Sequence, residues 1–305
     1  MRVLVTGGTG YLGSAIVRAL RARGHETVAF ARTASPPDVA GDVRDTRAVT
    51  AAAAAVDAIV HTAALVAVWR RDAGEFDAVN VGGLQSVLAA ARAHRIRRVV
   101  YTSSFLALPP AGQPQALTAN HYQRTKVAAR DVARRAAADG LPVVTLYPGV
   151  VYGPGPATDG NLVGRLMRDQ LEKRLPAVVG PEHIWSFAFV EDVADAHAAA
   201  VDHPSPQREY TIGGVNAPQG SIYRFVHEQR GCAIPSRLPY AIATAAAIAC
   251  ETWTAVTRRP PLLTRGVVEI FRRDWPLDSS AATRDLRLGQ TPLTDGLART
   301  LAALQ

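Results

Sequence analysis

The run VLVTGGTGYLG, residues 3–13, sets a glycine-rich turn between a short apolar strand and the start of a helix. Gly7, Gly10 and Gly13 have the spacing of the three glycines in a dinucleotide fingerprint. Glycine allows the backbone to turn tightly and approach a pyrophosphate, whose charge is attracted by free N–H groups at the helix start. We therefore predict a dinucleotide site in this turn. Its predicted contacts are Gly7, Thr9, Gly10, Tyr11, Leu12 and Gly13.

Short β-branched runs alternate with alanine-rich helical segments through the first half of the chain. The predicted strands lie near residues 2–6, 26–31, 57–61, 97–102 and 142–147, and the predicted helices near 11–23, 46–55, 75–94 and 121–139. Such alternation is typical of a parallel sheet covered by helices on both faces. The fold class predicted is α/β, a Rossmann-type doubly wound parallel sheet.

The rhythm changes after Pro148, where prolines become frequent and the elements irregular. We predict a dinucleotide-binding domain over residues 1–155 and a smaller C-terminal lobe, mainly substrate-binding, over 156–305. A strand-like run at 187–190 followed by a helix at 193–201 suggests that the chain re-enters the main sheet near residues 185–201.

Composition narrows the classes of partner. The formal charge is +8, with 34 basic and 26 acidic side chains. The arginines are scattered over several helices without interleaved aromatic residues, which favours an ordinary solvated surface and no nucleic-acid partner. Only Cys232 and Cys250 are present, too few for a disulfide framework and without metal-ligand spacing. We expect no metal and, since no leader-like segment precedes the first strand, a cytoplasmic location.

The most apolar later stretch, residues 240–250, is uncharged but too short to span a bilayer. We expect no stable membrane insertion. The stretch is predicted to form a buried or ligand-covering helix.

The end of the second strand bears on the choice of cofactor. Many NAD enzymes place an acid there to bind the adenosine ribose, whereas this chain has Ala31 followed by Arg32. A guanidinium can bind a 2′-phosphate through charge-assisted hydrogen bonds, so NADP(H) is favoured and NAD(H) stays open. Asp42 and Val43 are placed to contact the adenine, the carboxylate accepting from its exocyclic amine and the valine packing on the ring.

Tyr122 and Lys126 lie four residues apart at the start of a predicted helix and project from one face. A neighbouring ammonium favours the phenolate, so we expect Lys126 to lower the pKa of Tyr122 and prepare it for proton transfer. The pair follows a strand ending in Ser103 and Ser104, at the sheet edge where ligands bind. Ser104 is the candidate for orienting a substrate carbonyl, with Ser103 as the alternative.

At this point the chain resembles the extended short-chain dehydrogenase/reductases of the NAD-dependent epimerase/dehydratase superfamily, and within them the dihydroflavonol-reductase-like branch that includes farnesol-dehydrogenase-like proteins. The shared motifs are TGGTGYLG at 6–13, GDVRD at 41–45, VHTAALVAVW at 60–69, NVGGLQSVL at 80–88, YTSSFLAL at 101–108, YQRTK at 122–126, LYPGVVYGPG at 146–155, WSFAFVEDVADAHAAA at 185–200 and DWPLDSSAATRDLRLG at 274–289.

The resemblance implies a serine-tyrosine-lysine mechanism carried by Ser104, Tyr122 and Lys126, with Lys126 also holding the nicotinamide ribose. It further implies dimerisation through the helices near 75–94 and 121–139, so a homodimer is one expected state. Its remaining cofactor contacts fall on Thr62, Ala63 and Ala64 and on the segment from Pro148 to Val151. Two departures are Thr125, where a serine usually precedes the lysine, and Tyr147, where an arginine is frequent.

Three functions are consistent with these residues. The leading hypothesis is an NAD(P)-dependent oxidoreductase that interconverts a ketone or aldehyde and an alcohol on an apolar small molecule, such as an isoprenoid, polyphenol or polyketide. Arg258, Arg259 and Arg265 keep open a nucleotide-sugar epimerase or dehydratase, which needs a basic diphosphate pocket. A non-catalytic NAD(P)-binding regulator is the third, and the intact serine-tyrosine-lysine set argues against it.

Overall fold

The computed structural model describes residues 1–304. Within them, twelve strands follow one another along the chain: β1 (Arg2–Thr6), β2 (Glu26–Ala31), β3 (Val39–Ala40), β4 (Ala58–His61), β5 (Arg98–Thr102), β6 (Val143–Pro148), β7 (Val150–Tyr152), β8 (Ala177–Val178), β9 (Ile184–Phe189), β10 (Glu209–Ile212), β11 (Val215–Pro218) and β12 (Ser236–Arg237).

The helices in the same part of the chain are α1 (Tyr11–Ala22), α2 (Thr46–Ala52), α3 (Gly74–Asp77), α4 (Gly83–Ala93), α5 (His121–Ala138), α6 (Leu162–Leu171), α7 (Val190–Asp202), α8 (Gly220–Arg230), α9 (Tyr240–Thr257), α10 (Arg265–Phe271), α11 (Ser280–Leu286) and α12 (Leu293–Ala302). A π-helical turn at Ala78–Gly82 joins α3 to α4, and a 3-10 turn at Phe105–Ala107 follows β5.

The central sheet of the described chain has seven strands in the order β10-β6-β5-β4-β1-β2-β3, all parallel. β-branched and aliphatic side chains fill the inner strands because helices bury both faces of the sheet. One core lies beneath α1 and α7, and a second lies beneath α2, α4 and α5. The predicted doubly wound parallel fold is confirmed, and the bounds of its five predicted strands and four predicted helical segments lie within three residues of the observed ones. The segment predicted as one helix at 75–94 consists of α3, the π-helical turn and α4.

The predicted return of a strand at 187–190 to the main sheet is wrong. That run lies in β9, which pairs with β7 and β11 in a separate three-stranded sheet, with Val150 opposite Phe187. The place beside β6 is taken by β10, with Glu209 opposite Thr145. A short apolar run buried on both faces has the same pattern in either sheet, so sequence could not separate them. The helix that follows, α7, does return and packs against α1.

The prediction of a buried helix at 240–250 also needs correction. Residues 240–257 form α9, which buries only one narrow side, at Ala243, Ala247 and Thr254. Ile242 and Trp253 are 57% and 64% exposed. An alanine-rich helix needs only small side chains at its contact with α10, so most of its surface is left on the outside. None of the helices in residues 1–304 combines the length and apolarity needed to cross a bilayer.

Candidate active site

The glycine-rich turn between β1 and α1 is built by three glycines with different surroundings. Gly7 has φ +74°, and a Cβ there would lie 2.8 Å from the Ala63 amide nitrogen, so no other residue fits. A Cβ at Gly13 would meet the Gly7 carbonyl oxygen at 2.1 Å, which explains the close packing of α1 on the turn. Gly10 is exposed, with only the Gly7 carbonyl oxygen close to where a Cβ would lie, at 3.1 Å, and it precedes α1 without a side-chain cap, so the first helical amides are available to a phosphate. These residues fit a bound dinucleotide.

The loop after β4 lies against this turn. Thr62 donates from both its amide and its hydroxyl to the Thr6 carbonyl oxygen, at 3.1 and 3.0 Å. This fixes Ala63 against Gly7. The predicted contacts Thr62, Ala63 and Ala64 are half-buried and therefore line the edge of the glycine turn.

Asn80 was missed as a site residue by sequence reasoning. It is buried in the π-helical turn, accepts from the Leu65 amide at 2.7 Å, and donates to the Thr125 hydroxyl at 3.0 Å. It thereby joins the loop after β4 to helix α5. Thr125 supplies the hydroxyl that a serine would supply, and it donates to the carbonyl oxygens of His121 and Tyr122. The motif NVGGLQSVL held the only sequence signal for this contact.

The end of β2 presents positive charge. Arg32 is exposed, and the adjacent Thr33 hydroxyl lies 3.4 Å from that of Thr9 in the glycine turn. Arg44, which sequence reasoning did not single out, binds both carboxylate oxygens of Asp42, with its Nη2 2.7 Å from Oδ2. Arg32 and Arg44 together lower the pKa of Asp42, chiefly through the Arg44 hydrogen bond.

Asp42 and Val43, the residues predicted to contact the adenine, already contact other residues of the protein. The Asp42 carboxylate is bound by Arg44, and Val43 is buried against Gly83, where a Cβ would meet its Cγ2 at 2.9 Å. Little of the Val43 side chain is left to pack on a ring.

The segment after β6 completes the rim. Pro148 is buried, and Val151 packs on the same core as Tyr11 and Leu12. The Tyr11 ring covers Gly155, where a Cβ would lie 2.8 Å from its Cε2. Burial raises the pKa of Tyr11, and its hydroxyl has no hydrogen-bond partner within residues 1–304.

Ser104, Tyr122 and Lys126 meet at the carboxyl edge of β5. Ser104 begins the 3-10 turn, and its Oγ accepts from the Leu106 amide at 3.2 Å. Lys126 is 3% exposed and donates from Nζ to the Thr102 carbonyl oxygen at 3.2 Å. Its Nζ lies 5.9 Å from the centre of the Tyr122 ring. The predicted residues are brought together in one place.

The expected lowering of the Tyr122 pKa by Lys126 is wrong for this state of the protein. Burial raises the pKa of Tyr122 to about 12, and a hydrogen bond with Ser104 opposes the rise. Burial also lowers the pKa of Lys126 to about 8. Desolvation disfavours both charged forms, and at neutral pH the site holds a neutral phenol and an ammonium.

Gln123 is a second residue that sequence reasoning missed. It is fully buried, its Nε2 donates to the Leu106 carbonyl oxygen at 3.2 Å, and its Oε1 accepts from the Ala119 amide at 3.0 Å. It therefore ties the turn that carries Ser104 to the start of the helix that carries Tyr122.

Tyr147 adds a similar tie on the far side of α5. Its hydroxyl donates to Glu209 Oε1 at 2.8 Å, and Glu209 pairs with Arg134. The tyrosine thus occupies a hydrogen-bond network that joins β6, β10 and α5.

A cluster of apolar and aromatic side chains, many of them from the C-terminal half, packs against Tyr122. The cluster includes Phe105, whose ring centre lies 6.0 Å from that of Trp185 and 5.4 Å from that of Trp275. The surroundings of the phenol on this side are therefore apolar.

Histidines near the site are explained without a metal. His61 is buried, accepts or donates at Thr6 Oγ1 over 2.7 Å, and has its pKa lowered by burial to about 3, so it is neutral. His197 bonds Thr102 and Val193 inside the core. Within residues 1–304, no group of three or more His, Cys, Asp or Glu side chains could hold a metal ion.

A parallel sheet with a glycine-rich first turn, together with this polar set at its edge, defines an NAD(P)-dependent short-chain dehydrogenase/reductase acting on CH–OH groups. The sequence profile of the NAD dependent epimerase/dehydratase family matches residues 3–213. The chain belongs to this family, and the resemblance drawn from its motifs is confirmed.

Known relatives agree with this class. The chain is 34% identical over 270 residues to sterol demethylase protein B of Methylococcus capsulatus, covering 80% of each chain. It is 34% identical over 227 residues to 2-alkyl-3-oxoalkanoate reductase of Stenotrophomonas maltophilia, covering 68% of this chain and 67% of the relative. Among solved structures, UDP-glucose 4-epimerase of Thermus thermophilus in complex with NAD shares the fold, with a TM-score of 0.76 and 23% identity over 100% of this chain and 99% of its own.

Proposed function

We propose that the protein is a reductase that converts a ketone or aldehyde on an apolar small molecule to the alcohol. The observation that carries the proposal is the half-buried, neutral Tyr122 phenol beside Ser104 and the Lys126 ammonium, at the sheet edge that also carries the glycine turn. A neutral phenol is a proton donor, which suits reduction at neutral pH.

The residues divide the work as follows. The Ser104 hydroxyl donates to the substrate carbonyl oxygen and orients it. Tyr122 gives its proton to the same oxygen as negative charge develops there, and the Lys126 ammonium stabilises the resulting phenolate. A bound nicotinamide cofactor would supply the hydride. The glycine turn and the loop at Thr62 to Ala64 would hold that cofactor, with Pro148 and Val151 beside it.

Two observations support an apolar substrate. The aromatic cluster that packs on Tyr122 contains Phe105, Trp185 and Trp275. The two relatives described above are named for a sterol and for an alkyl-oxoalkanoate. A carbonyl carried by a lipid-like or ring-bearing molecule is therefore the substrate class proposed.

NADP(H) is the proposed cofactor. Arg32 and Arg44 place two guanidiniums near the end of β2, and no carboxylate follows Ala31. Arg44 is exposed and can leave Asp42 for a 2′-phosphate, which carries more charge and more acceptor oxygens.

The nucleotide-sugar alternative is weaker. Arg258, Arg259 and Arg265 are exposed, and Arg265 is paired with Glu251 at 2.6 Å. They form no buried pocket for a diphosphate. The likeness to solved epimerases lies in the fold.

Cofactor accounting separates the functions. A reductase consumes one NADPH for each alcohol formed, whereas an epimerase regenerates its cofactor and a regulator consumes none. The test follows NADPH fluorescence and product formation together, with a panel of lipophilic ketones and aldehydes and with UDP-sugars. Equal loss of NADPH and gain of alcohol supports the proposal; sugar conversion without net NADPH loss refutes it.

A further inference from the structure

Helix α9 presents an uncharged face to the outside. Its 18 residues include one charged side chain, Glu251, which is half-buried and accepts from the Arg265 amide at 2.8 Å and from its Nε at 2.6 Å. The exposed side instead consists of alanine, threonine and larger apolar residues. Exposed helix faces of globular proteins are normally charged or polar, so this one lacks its usual solvating groups.

The largest apolar side chains collect at the end of the helix and in the loop that follows. Trp253, Val256 and Leu262 are 64%, 78% and 98% exposed. We call these three residues, together with Ile242 and Ile248 earlier in the same helix, the α9 face. Single exposed apolar residues are common, but several on the outer side of one helix and in the loop after it are typical of an interaction surface.

Two arginines sit within this group. Arg258 and Arg259 lie between Val256 and Leu262, are exposed, and have no ion-pair partner in residues 1–304. The end of α9 and the loop after it therefore offer apolar side chains for the acyl boundary of a bilayer and two guanidiniums for its headgroups. Arginine can then reach lipid phosphate while its stem stays on the apolar side.

We propose that the α9 face docks the protein on the surface of a bilayer that contains anionic lipid. Trp253, Val256 and Leu262 would enter the boundary between headgroups and acyl chains, and Arg258 and Arg259 would bind lipid phosphates. The overall charge of +8 adds long-range attraction to such a surface. The attachment is peripheral, since α9 would lie flat rather than cross.

A second copy of the chain fits this face less well. Contact across a two-fold axis near the C-terminal end of α9 would bring Arg258 and Arg259 of both copies into one patch. The only carboxylate nearby on α9, that of Glu251, is already held by Arg265. Like charges would therefore face one another without a counter-ion, whereas an anionic membrane supplies one for each guanidinium.

This inference stands apart from the proposed reductase activity, because binding to lipid is measured without substrate or cofactor. It would place the protein where apolar molecules dissolve.

The test is sedimentation of the whole protein with phosphatidylcholine vesicles, with and without phosphatidylserine. We expect strong binding only with phosphatidylserine, and loss of binding as salt is raised. Replacing both arginines, Arg258→Gln with Arg259→Gln, is expected to weaken partitioning roughly thirtyfold, since each basic residue near such a surface contributes about a factor of five. The matched control replaces Arg95 and Arg97, which are exposed and unpaired among the described residues, and should bind as the parent does.

Trp253 also serves as a probe. In a Trp69→Phe background its emission should shift to the blue on vesicle binding, and Trp253→Ser should abolish the shift while the melting temperature stays close to that of the parent. Three results would overturn the proposal. They are no binding to either vesicle, equal binding by the arginine variant and its control, and a dimer that Trp253→Glu converts to monomer.

Discussion

Burial shifts the pKa values of Tyr122 and Lys126 in opposite directions. The pKa of the phenol rises to about 12 and that of the ammonium falls to about 8. The Tyr122 phenol is therefore fully protonated across the neutral range, while the charge on Lys126 is lost in mildly alkaline solution.

This difference predicts the pH profile of reduction. The value of kcat/KM for the ketone should be level at neutral pH and fall as pH rises through about 8, because only the lysine titrates there. Lys126→Arg should move the fall to higher pH, since guanidinium stays charged. Lys173→Arg changes the only other lysine, which is exposed, and should leave the profile unaltered. A wild-type profile that stays level well above pH 8 would contradict this role for Lys126.

The buried ammonium also has a cost in stability. A shift from 10.5 to about 8 corresponds to roughly 3 kcal/mol at neutral pH. The pKa of folded Lys126 lies below its unfolded value, so this penalty is full below about pH 8 and fades as pH rises towards 10.5.

Lys126→Met removes this penalty but also loses the hydrogen bond to Thr102, which contributes about 1 kcal/mol. The free energy of unfolding should therefore rise at neutral pH by the difference between the two. The substitution should also abolish reduction. Urea unfolding at neutral pH measures the gain, and Lys173→Met is the surface control, expected to change stability by about 0.5 kcal/mol or less. Clear destabilisation by Lys126→Met would mean that the charge is stabilised by its surroundings.

At the scale of elements, the site depends on how helix α5 is fixed to the turn after β5. Gln123 bonds Leu106 and Ala119, and Arg130 donates from Nη1 to the Ala107 carbonyl oxygen at 2.6 Å. These bonds set the separation between Ser104 and Tyr122. They are positioning contacts, since neither Gln123 nor Arg130 bonds to the phenol.

Gln123→Leu should lower kcat while leaving the affinity for NADPH nearly unchanged. It leaves two buried backbone groups unpaired, so the free energy of unfolding should fall by about 1–3 kcal/mol. The neighbouring Arg124→Ala removes only an exposed pair with Asp77 and should cost about 1 kcal/mol or less. Steady-state kinetics and urea unfolding of both variants measure these changes. Equal losses of kcat and of stability in the two variants would contradict the positioning role of Gln123.

We expect the end of β2 to govern the choice between NADPH and NADH. Replacing Arg32 and Arg44 by glutamine together should raise KM for NADPH by roughly tenfold to a hundredfold or more, because charge-assisted bonds to a phosphate are lost. KM for NADH should hardly change. Arg47→Gln, on the exposed side of α2, is the control. A parent enzyme that prefers NADH, or a loss of both cofactors alike, would contradict the assignment of these arginines.

At the scale of the molecule, the periodic signals in the first half of the chain were sufficient for five of the seven strands of the central sheet. Strands β1, β2, β4, β5 and β6 and their helices follow from apolar runs, alanine-rich segments and glycines at helix ends. The two-residue strand β3 is too short to leave a pattern. The sheet to which β9 belongs could not be predicted, because the position beside β6 is filled by β10, a strand that comes later in the chain.

The grouping of the candidate site residues was predicted from the sequence, but their electrostatics were not. Motif context located Ser104, Tyr122 and Lys126, whereas the direction of the Tyr122 pKa shift depends on burial that only packing reveals. Gln123 and Asn80 were not predicted as site residues for the same reason, since their hydrogen-bond partners are backbone and hydroxyl groups of distant elements.

The most direct test of the whole account compares the parent with Tyr122→Phe, which removes one oxygen and keeps the ring in the aromatic cluster. NADPH binding, followed by its fluorescence, should be the same in both proteins. Turnover of a reactive lipophilic ketone should fall roughly 10²- to 10⁴-fold, the usual contribution of a positioned proton donor. Unchanged turnover in the phenylalanine variant would contradict the account.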